Sequence, residues 1–196
     1  MKGGQLGVLD LARVCACGQV GILNFSDTIT GSSIGLVSFA WRGYYRFDLS
    51  TTDVLPLTLT LRTGTAGFYN IIGWSAPVDA AERWGFSYGF GTEPKLGKHS
   101  ALNIEVTGEH VNEQAEWLDA LNRVGRFSVQ YSHIFIRRLV VSAGPSVNVL
   151  VSDWRDPGTG AYQSALPAIE ALFVEENAGN LMRAWVGYRV GLGVRF

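Results

Sequence analysis

In eight separate stretches of this chain every second residue is bulky and apolar, and that alternation constrains the fold more than any other feature. The clearest stretch is 82–92, where Trp84, Phe86, Tyr88 and Phe90 alternate with Gly85, Ser87, Gly89 and Gly91. Successive side chains of a β-strand point to opposite faces, so strict alternation predicts strands with one apolar face. From about residue 182 onward, Val186, Tyr188, Val190, Leu192, Val194 and Phe196 alternate with Gly187, Arg189, Gly191, Gly193 and Arg195. Stretches 43–49, 54–62, 100–110, 124–135 and 139–152 follow the same rule, with Tyr45, Leu59, Val106, Phe127 and Val147 among their apolar positions. The stretch 66–75 is less regular: Phe68, Ile72 and Trp74 share one parity, while Tyr69 and Ile71 fall on the other. Proline cannot donate to a ladder, so Pro56 is expected at a strand end and Pro145 at a bulge.

The joints between these stretches alternate in length. Residues 63–65, 93–99 and 136–138 are short links, whereas 76–81, 111–123 and 153–181 are longer; the link at 50–53 is short where the pattern allows more. Tight turns at one end and long loops at the other are the layout of a membrane-spanning meander barrel. Ahead of it, residues 5–12, 19–26 and 33–40 repeat at a spacing of 14. Stacked copies would align Gly7, Gly21 and Gly35 in register and place Asp10, Asn24 and Ser38 at a turn, as in a β-solenoid. Three antiparallel strands turning near Gly18 and Gly31 are the alternative. The expected organisation is a surface-repeat β segment over 1–42 and a barrel over 43–196.

Eight alternating strands fit two opposite barrels. One holds its apolar face inward around a ligand; the other turns that face to lipid and keeps a polar lumen. Three features favour the second. Charged residues make up 17% of the chain against a usual ~25%, and only Lys2, Lys95 and Lys98 are lysines, although soluble β-proteins use lysine to keep faces and edges wet. The aromatics Trp84, Phe86, Tyr88 and Phe90 are expected to face lipid, where Trp and Tyr form interfacial belts. Finally, the small-residue face carries charges of both signs. Arg46, Asp48, Arg62, Glu105, Glu109, Arg189 and Arg195 are expected to meet in the lumen, because buried charges need partners. No run of about 18 apolar residues suggests a transmembrane helix. Met1-Lys2-Gly3-Gly4 leads straight into patterned sequence, so the membrane reading implies a targeting segment already removed.

Little in the chain points to a reaction. Strand direction separates His99, His110 and His133, and Cys15 and Cys17 lack further ligands nearby, so no metal or cofactor is implied and a turn suits the two cysteines. His110 with Glu109 and Ser50 or Ser75 is the one arrangement to weigh for an outer-leaflet lipid-modifying enzyme. Adjacent strand residues face opposite ways, which separates His110 from Glu109. The mixed charges would otherwise line a narrow channel, but eight strands leave room for little besides side chains. A net charge of -1 gives no reason to expect nucleic acid as a partner. The long loops carry helical signals: Asn112 as a cap before Ala115, Trp117, Leu118 and Leu121, and Ser164 with Pro167 before Ile169, Leu172 and Phe173, ending at Gly179. They would either lid the barrel mouth or bind an extracellular partner through 111–123 and 153–181.

The terminal alternation through Tyr188, Val190, Leu192, Val194 and Phe196 resembles the C-terminal signal that outer-membrane barrels present to the barrel assembly machinery. The 14-residue repeats, with Arg62 to Asn70 and Tyr88 to Leu96, resemble the bacterial surface repeat-containing outer-membrane family of Bacteroidetes; Asp10 and Ser38 depart from its repeat pattern. That resemblance implies a Gram-negative outer-membrane location, contact with outer-membrane lipid and a cell-surface role, and no catalytic residue. The expected fold is all-β: an eight-stranded antiparallel transmembrane β-barrel behind a short solenoid-like segment. The expected function is structural or partner-binding and non-enzymatic.

Overall fold

Each alternating stretch becomes a strand, and eight of the strands close into a ring. The computed structural model describes residues 4–15, 18–29 and 33–40 by their backbone, and in full residues 44–78, 82–136, 138–167, 169–177 and 179–196. The strands are β1 (Gly4–Cys15), β2 (Gly18–Ile29), β3 (Ser33–Ala40), β4 (Tyr44–Thr52), β5 (Thr58–Gly64), β6 (Tyr69–Ser75), β7 (Trp84–Thr92), β8 (Ser100–Asn112), β9 (Asn122–Phe135), β10 (Leu139–Ser152), β11 (Phe173–Glu176) and β12 (Leu181–Arg195). Strands β4 to β10 pair antiparallel in sequence order, and β12 closes the barrel by pairing with both β10 and β4. Strand β11 lies outside the ring, paired only with residues 181–184 of β12.

The repeat segment forms a separate parallel sheet in the order β1-β2-β3. Its ladder has the 14-residue register, with Gly7 opposite Gly21 and Gly21 opposite Gly35; Asp10, Asn24 and Ser38 are also aligned, but within the strands and not at the expected turn. The pairing is parallel, not the antiparallel alternative. Cys15 ends β1, and Cys17 lies outside the described residues.

Alternation sorts the barrel cleanly. Phe47, Leu49, Leu59, Ile72, Phe86, Phe90, Val106 and Phe127 all point outward and are exposed. Arg46, Asp48, Thr60, Arg62, Asn103, Glu105 and Gln130 point inward and are buried. The irregular stretch resolves the same way: Ile72 and Trp74 face out, while Tyr69 and Ile71 face in and pack with Tyr44. Inward small residues do more than save lumen space. A Cβ on Gly89 would land on the carbonyl oxygen of Val106, and one on Gly144 on that of Val129. Side chains larger than hydrogen cannot fit where neighbouring strand backbone comes this close.

The link between β5 and β6 is a tight turn in which Thr65 N donates to Phe68 O at 2.9 Å and Phe68 N to Thr65 O at 3.2 Å. Gly64, at φ 141°, allows the chain to enter it. That turn, residues 93–99 and the described residues between β9 and β10 share one end with Phe196, whose amide donates to Tyr45 O at 3.0 Å. The described residues of the links 53–57, 76–83, 113–121 and 153–180 lie at the other, loop end.

Two local expectations are corrected. No described residue is helical: 113–121, 164–167 and 169–177 are bends and extended chain with the short strand β11. The Asn112 carboxamide does accept a bond from Leu118 N, at 2.7 Å, but it closes a loop rather than capping a helix. Packing against the barrel mouth, described below, outweighs local helix propensity there. Pro145 forms no bulge either. The β9 ladder omits Gly144 and Pro145 and resumes in the same register, and the β12 ladder runs through Pro145 opposite Tyr188. Pro56 lies ahead of β5, at the strand end.

Candidate functional site

Inward parity on neighbouring strands stacks the charges along the lumen in bonded groups, one above the next. Nearest the turn end, Arg195 Nη1 meets Glu93 Oε1 at 2.8 Å, and the Tyr44 hydroxyl donates to Glu93 Oε2 at 2.7 Å. Asn103 Nδ2 donates to the same carboxylate at 3.2 Å and to the Tyr69 hydroxyl at 3.1 Å. The rings of Tyr44 and Tyr69 stack at 5.4 Å.

At mid-height, Arg46 Nε donates to Asp48 Oδ1 at 2.7 Å, and its Nη1 reaches Glu93 at 3.4 Å. Arg62 bridges Asp48 and Glu105, its Nε lying 2.7 Å from Glu105 Oε1. Glu105 also accepts from the Tyr69 hydroxyl at 2.9 Å and from Gln130 Nε2 at 3.1 Å, with Arg189 Nη1 at 3.6 Å. Arg189 donates in turn to Thr60 Oγ1 at 2.7 Å. Closer to the loops, Arg126 Nε donates to Asn148 Oδ1 at 2.8 Å and lies 3.5 Å from Glu109.

The seven charges expected from alternation thus lie in this column, and three more members are Glu93, Arg126 and Asp53. Two had a usable signal. Glu93 follows β7 by one residue and keeps its inward parity, and Arg126 shares parity with Ser128 and Gln130. Asp53 had none, because it lies in a loop. Its Oδ2 accepts from Trp185 Nε1 at 2.5 Å and from Asn148 Nδ2 at 3.3 Å, and its Oδ1 from Tyr188 N at 3.1 Å.

An apolar plug seals the loop end. Val54 and Leu55 from the first loop and Leu166 from the last join Val111, Val124, Leu150, Leu181 and Trp185, all buried. Polar bonds hold the last loop down: Arg183 Nη1 donates to Ser164 O at 3.1 Å and Leu166 O at 2.7 Å. Glu113 accepts from Ser164 Oγ at 2.5 Å and Ala165 N at 2.9 Å. The interior is a neutralised, hydrogen-bonded column beneath a greasy stopper, with Arg46 and Glu105 at 0% and 1% exposure.

The residues weighed for catalysis do not converge. His110 faces outward and stacks on Trp117 at 4.8 Å, whereas Glu109, Ser50 and Ser75 face the lumen. Ser75 Oγ is bonded to Thr58 Oγ1 at 2.8 Å. His133, also outward, lies near the turn end beside Ser100, at 3.3 Å. His99 sits in an exposed turn.

On the outer wall, Phe86 and Phe90 are exposed and Trp84 and Tyr88 half-buried. Trp84 packs edge-on against Phe86 at 5.7 Å, and Tyr88 against Phe90 at 6.1 Å. Tyr188, Val190, Leu192, Val194 and Phe196 form one exposed outward row, ending where Phe196 meets Phe47 edge to face at 6.1 Å.

The fold and its interior define a closed eight-stranded antiparallel barrel with an apolar outer wall and a filled polar lumen. No family model matches the chain, and no curated protein matches it. Among solved structures, a KdgM porin in complex with disordered oligogalacturonate is similar to the chain. It is 9% identical over 78% of this chain and 98% of that one, with a TM-score of 0.27.

Proposed function

We propose that this protein is a bacterial outer-membrane barrel of the cell surface with a non-enzymatic, structural or partner-binding role. The outward apolar belt carries the reading: side chains such as Leu49, Val106, Phe127, Val186 and Leu192 are each about half exposed on every side of the ring. Exposing that much hydrocarbon to water is strongly unfavourable, whereas lipid accommodates it at no such cost. The closed ring also leaves no unpaired strand edge at membrane depth.

Within this reading, the repeat segment over 1–42 is a distinct unit of the kind found in the surface repeat-containing family. The row from Tyr188 to Phe196 is what the barrel assembly machinery engages, and the loops 111–123 and 153–181 are the surface offered to an extracellular partner. The filled lumen supports a structural role over conduction. In the decisive experiment the purified protein needs detergent to stay monomeric and migrates faster on gels unheated than boiled. A protein monomeric in plain buffer overturns the proposal.

A further inference from the structure

Among the described residues of the outer wall, the apolar cover is broken directly beneath the one charge. Among the described residues of the eight barrel strands, Arg123 is the only charged side chain of outward parity. It sits on the second residue of β9, at the loop-end rim of the belt, exposed and without a salt bridge. Across the ladder from it is His110. The His110 ring is held against Trp117, and its Nε2 is buried with no hydrogen-bond partner.

Directly below this pair the wall is bare. Gly108 and Gly125 are paired across β8 and β9, both facing out. A Cβ on Gly108 would meet nothing within 4 Å. Tyr88 flanks the bare row on β7 and Val149 flanks it on β10. The next row down is full again, with Val106 and Phe127 side by side. Two adjacent strands without side chains leave a furrow roughly 10 Å across, twice the strand spacing, with hydrocarbon walls and a cationic head.

We infer that this furrow is a binding site for a phosphorylated lipid of the outer leaflet, whose acyl chain lies over Gly108 and Gly125 and whose phosphate is held by Arg123 and His110. The inference rests on the outer-membrane reading, which sets the loop end at the outer headgroups. An Arg on the lipid face is tolerated at the interface and costly deeper in, so its height fits a headgroup partner. A phosphate oxygen accepts from the guanidinium in a charge-assisted bond and takes the hydrogen that the orphaned His110 nitrogen can offer. A soluble anion would use Arg123 but gain nothing from the furrow. Asp119 and Asp153 line an adjoining recess on the loop side of Arg123, apart from the furrow.

The test uses the full chain in detergent, with monophosphorylated lipid A as the probe and the same lipid after dephosphorylation as control, read by native mass spectrometry. The wild type is expected to retain the phosphorylated lipid about tenfold better than the control, the scale of one charge-assisted contact. Gly108→Leu fills the furrow where a new side chain meets open space, and Arg123→Gln removes the cation. Each is expected to lower retention about tenfold while the unheated band still migrates fast. Equal retention by the wild type and both variants overturns the site. Loss in Arg123→Gln alone, with displacement by inorganic phosphate, identifies a simple anion site and overturns the lipid. Loss in Gly108→Leu alone overturns the phosphate contact. A barrel that needs detergent but binds no lipid refutes this inference and leaves the outer-membrane reading standing; monomeric behaviour in plain buffer refutes that reading first.

Discussion

Glu105 sits at mid-height in the lumen, joined to Arg62, Tyr69 and Gln130 and facing Arg189. A buried pair adds little net stability over an apolar one, but removing one partner leaves a stranded charge. Glu105→Gln keeps the shape but leaves Arg189 without its carboxylate and Arg62 with Asp48 alone. Its expected cost is about 3–5 kcal/mol, measured by urea unfolding of the barrel in lipid vesicles. A loss below about 1 kcal/mol would mean that water reaches the column and screens it. At this scale the sequence was readable wherever a charge sat on a strand, because parity alone assigns a face. Arg46 and Arg62 are legible in that way. Asp53 is not, because a loop residue has no parity.

The elements divide into a ladder that alternation predicts and loops that it does not. Strand β6 is legible once the lumen is known to need filling: Tyr69 breaks the apolar-out pattern because its hydroxyl serves Glu105. The helices expected in 113–121 and 164–179 fail for a different reason. Leu118 is buried with its amide bonded to Asn112, and Phe173 is drawn into pairing with Ala184 of β12 while Ile169 and Leu172 stay exposed, so long-range contacts replace the local helical period. Leu166→Ala is expected to cost about 2–5 kcal/mol through the cavity it leaves in the plug. It should also speed protease cleavage within 157–161, where the loop is exposed. Unchanged cleavage would mean that Arg183 and Glu113 hold the loop without help from the plug.

Taken whole, the barrel is closed twice, by interlocked charges at mid-height and by hydrocarbon at the loop end. An eight-stranded barrel has an interior just large enough for its own side chains. Planar bilayers containing the wild-type protein are therefore expected to show a flat current trace. Steady unitary steps would show that the column and the plug rearrange in the membrane, and would favour the channel reading over the structural one.

The amino-acid sequence by itself determined the eight alternating stretches, their outward apolar positions, the inward charges and the 14-residue repeat. Each of these follows from a period of two or from a repeat, which local chemistry enforces along the strand. Only the tertiary structure decided which charges touch, that Asp53 enters the mouth, that Leu55 and Leu166 seal it, and that Gly108 and Gly125 lie side by side beneath Arg123. Those outcomes depend on pairing between distant stretches and on the register of one strand against the next. Periodicity within a strand carries no information about either.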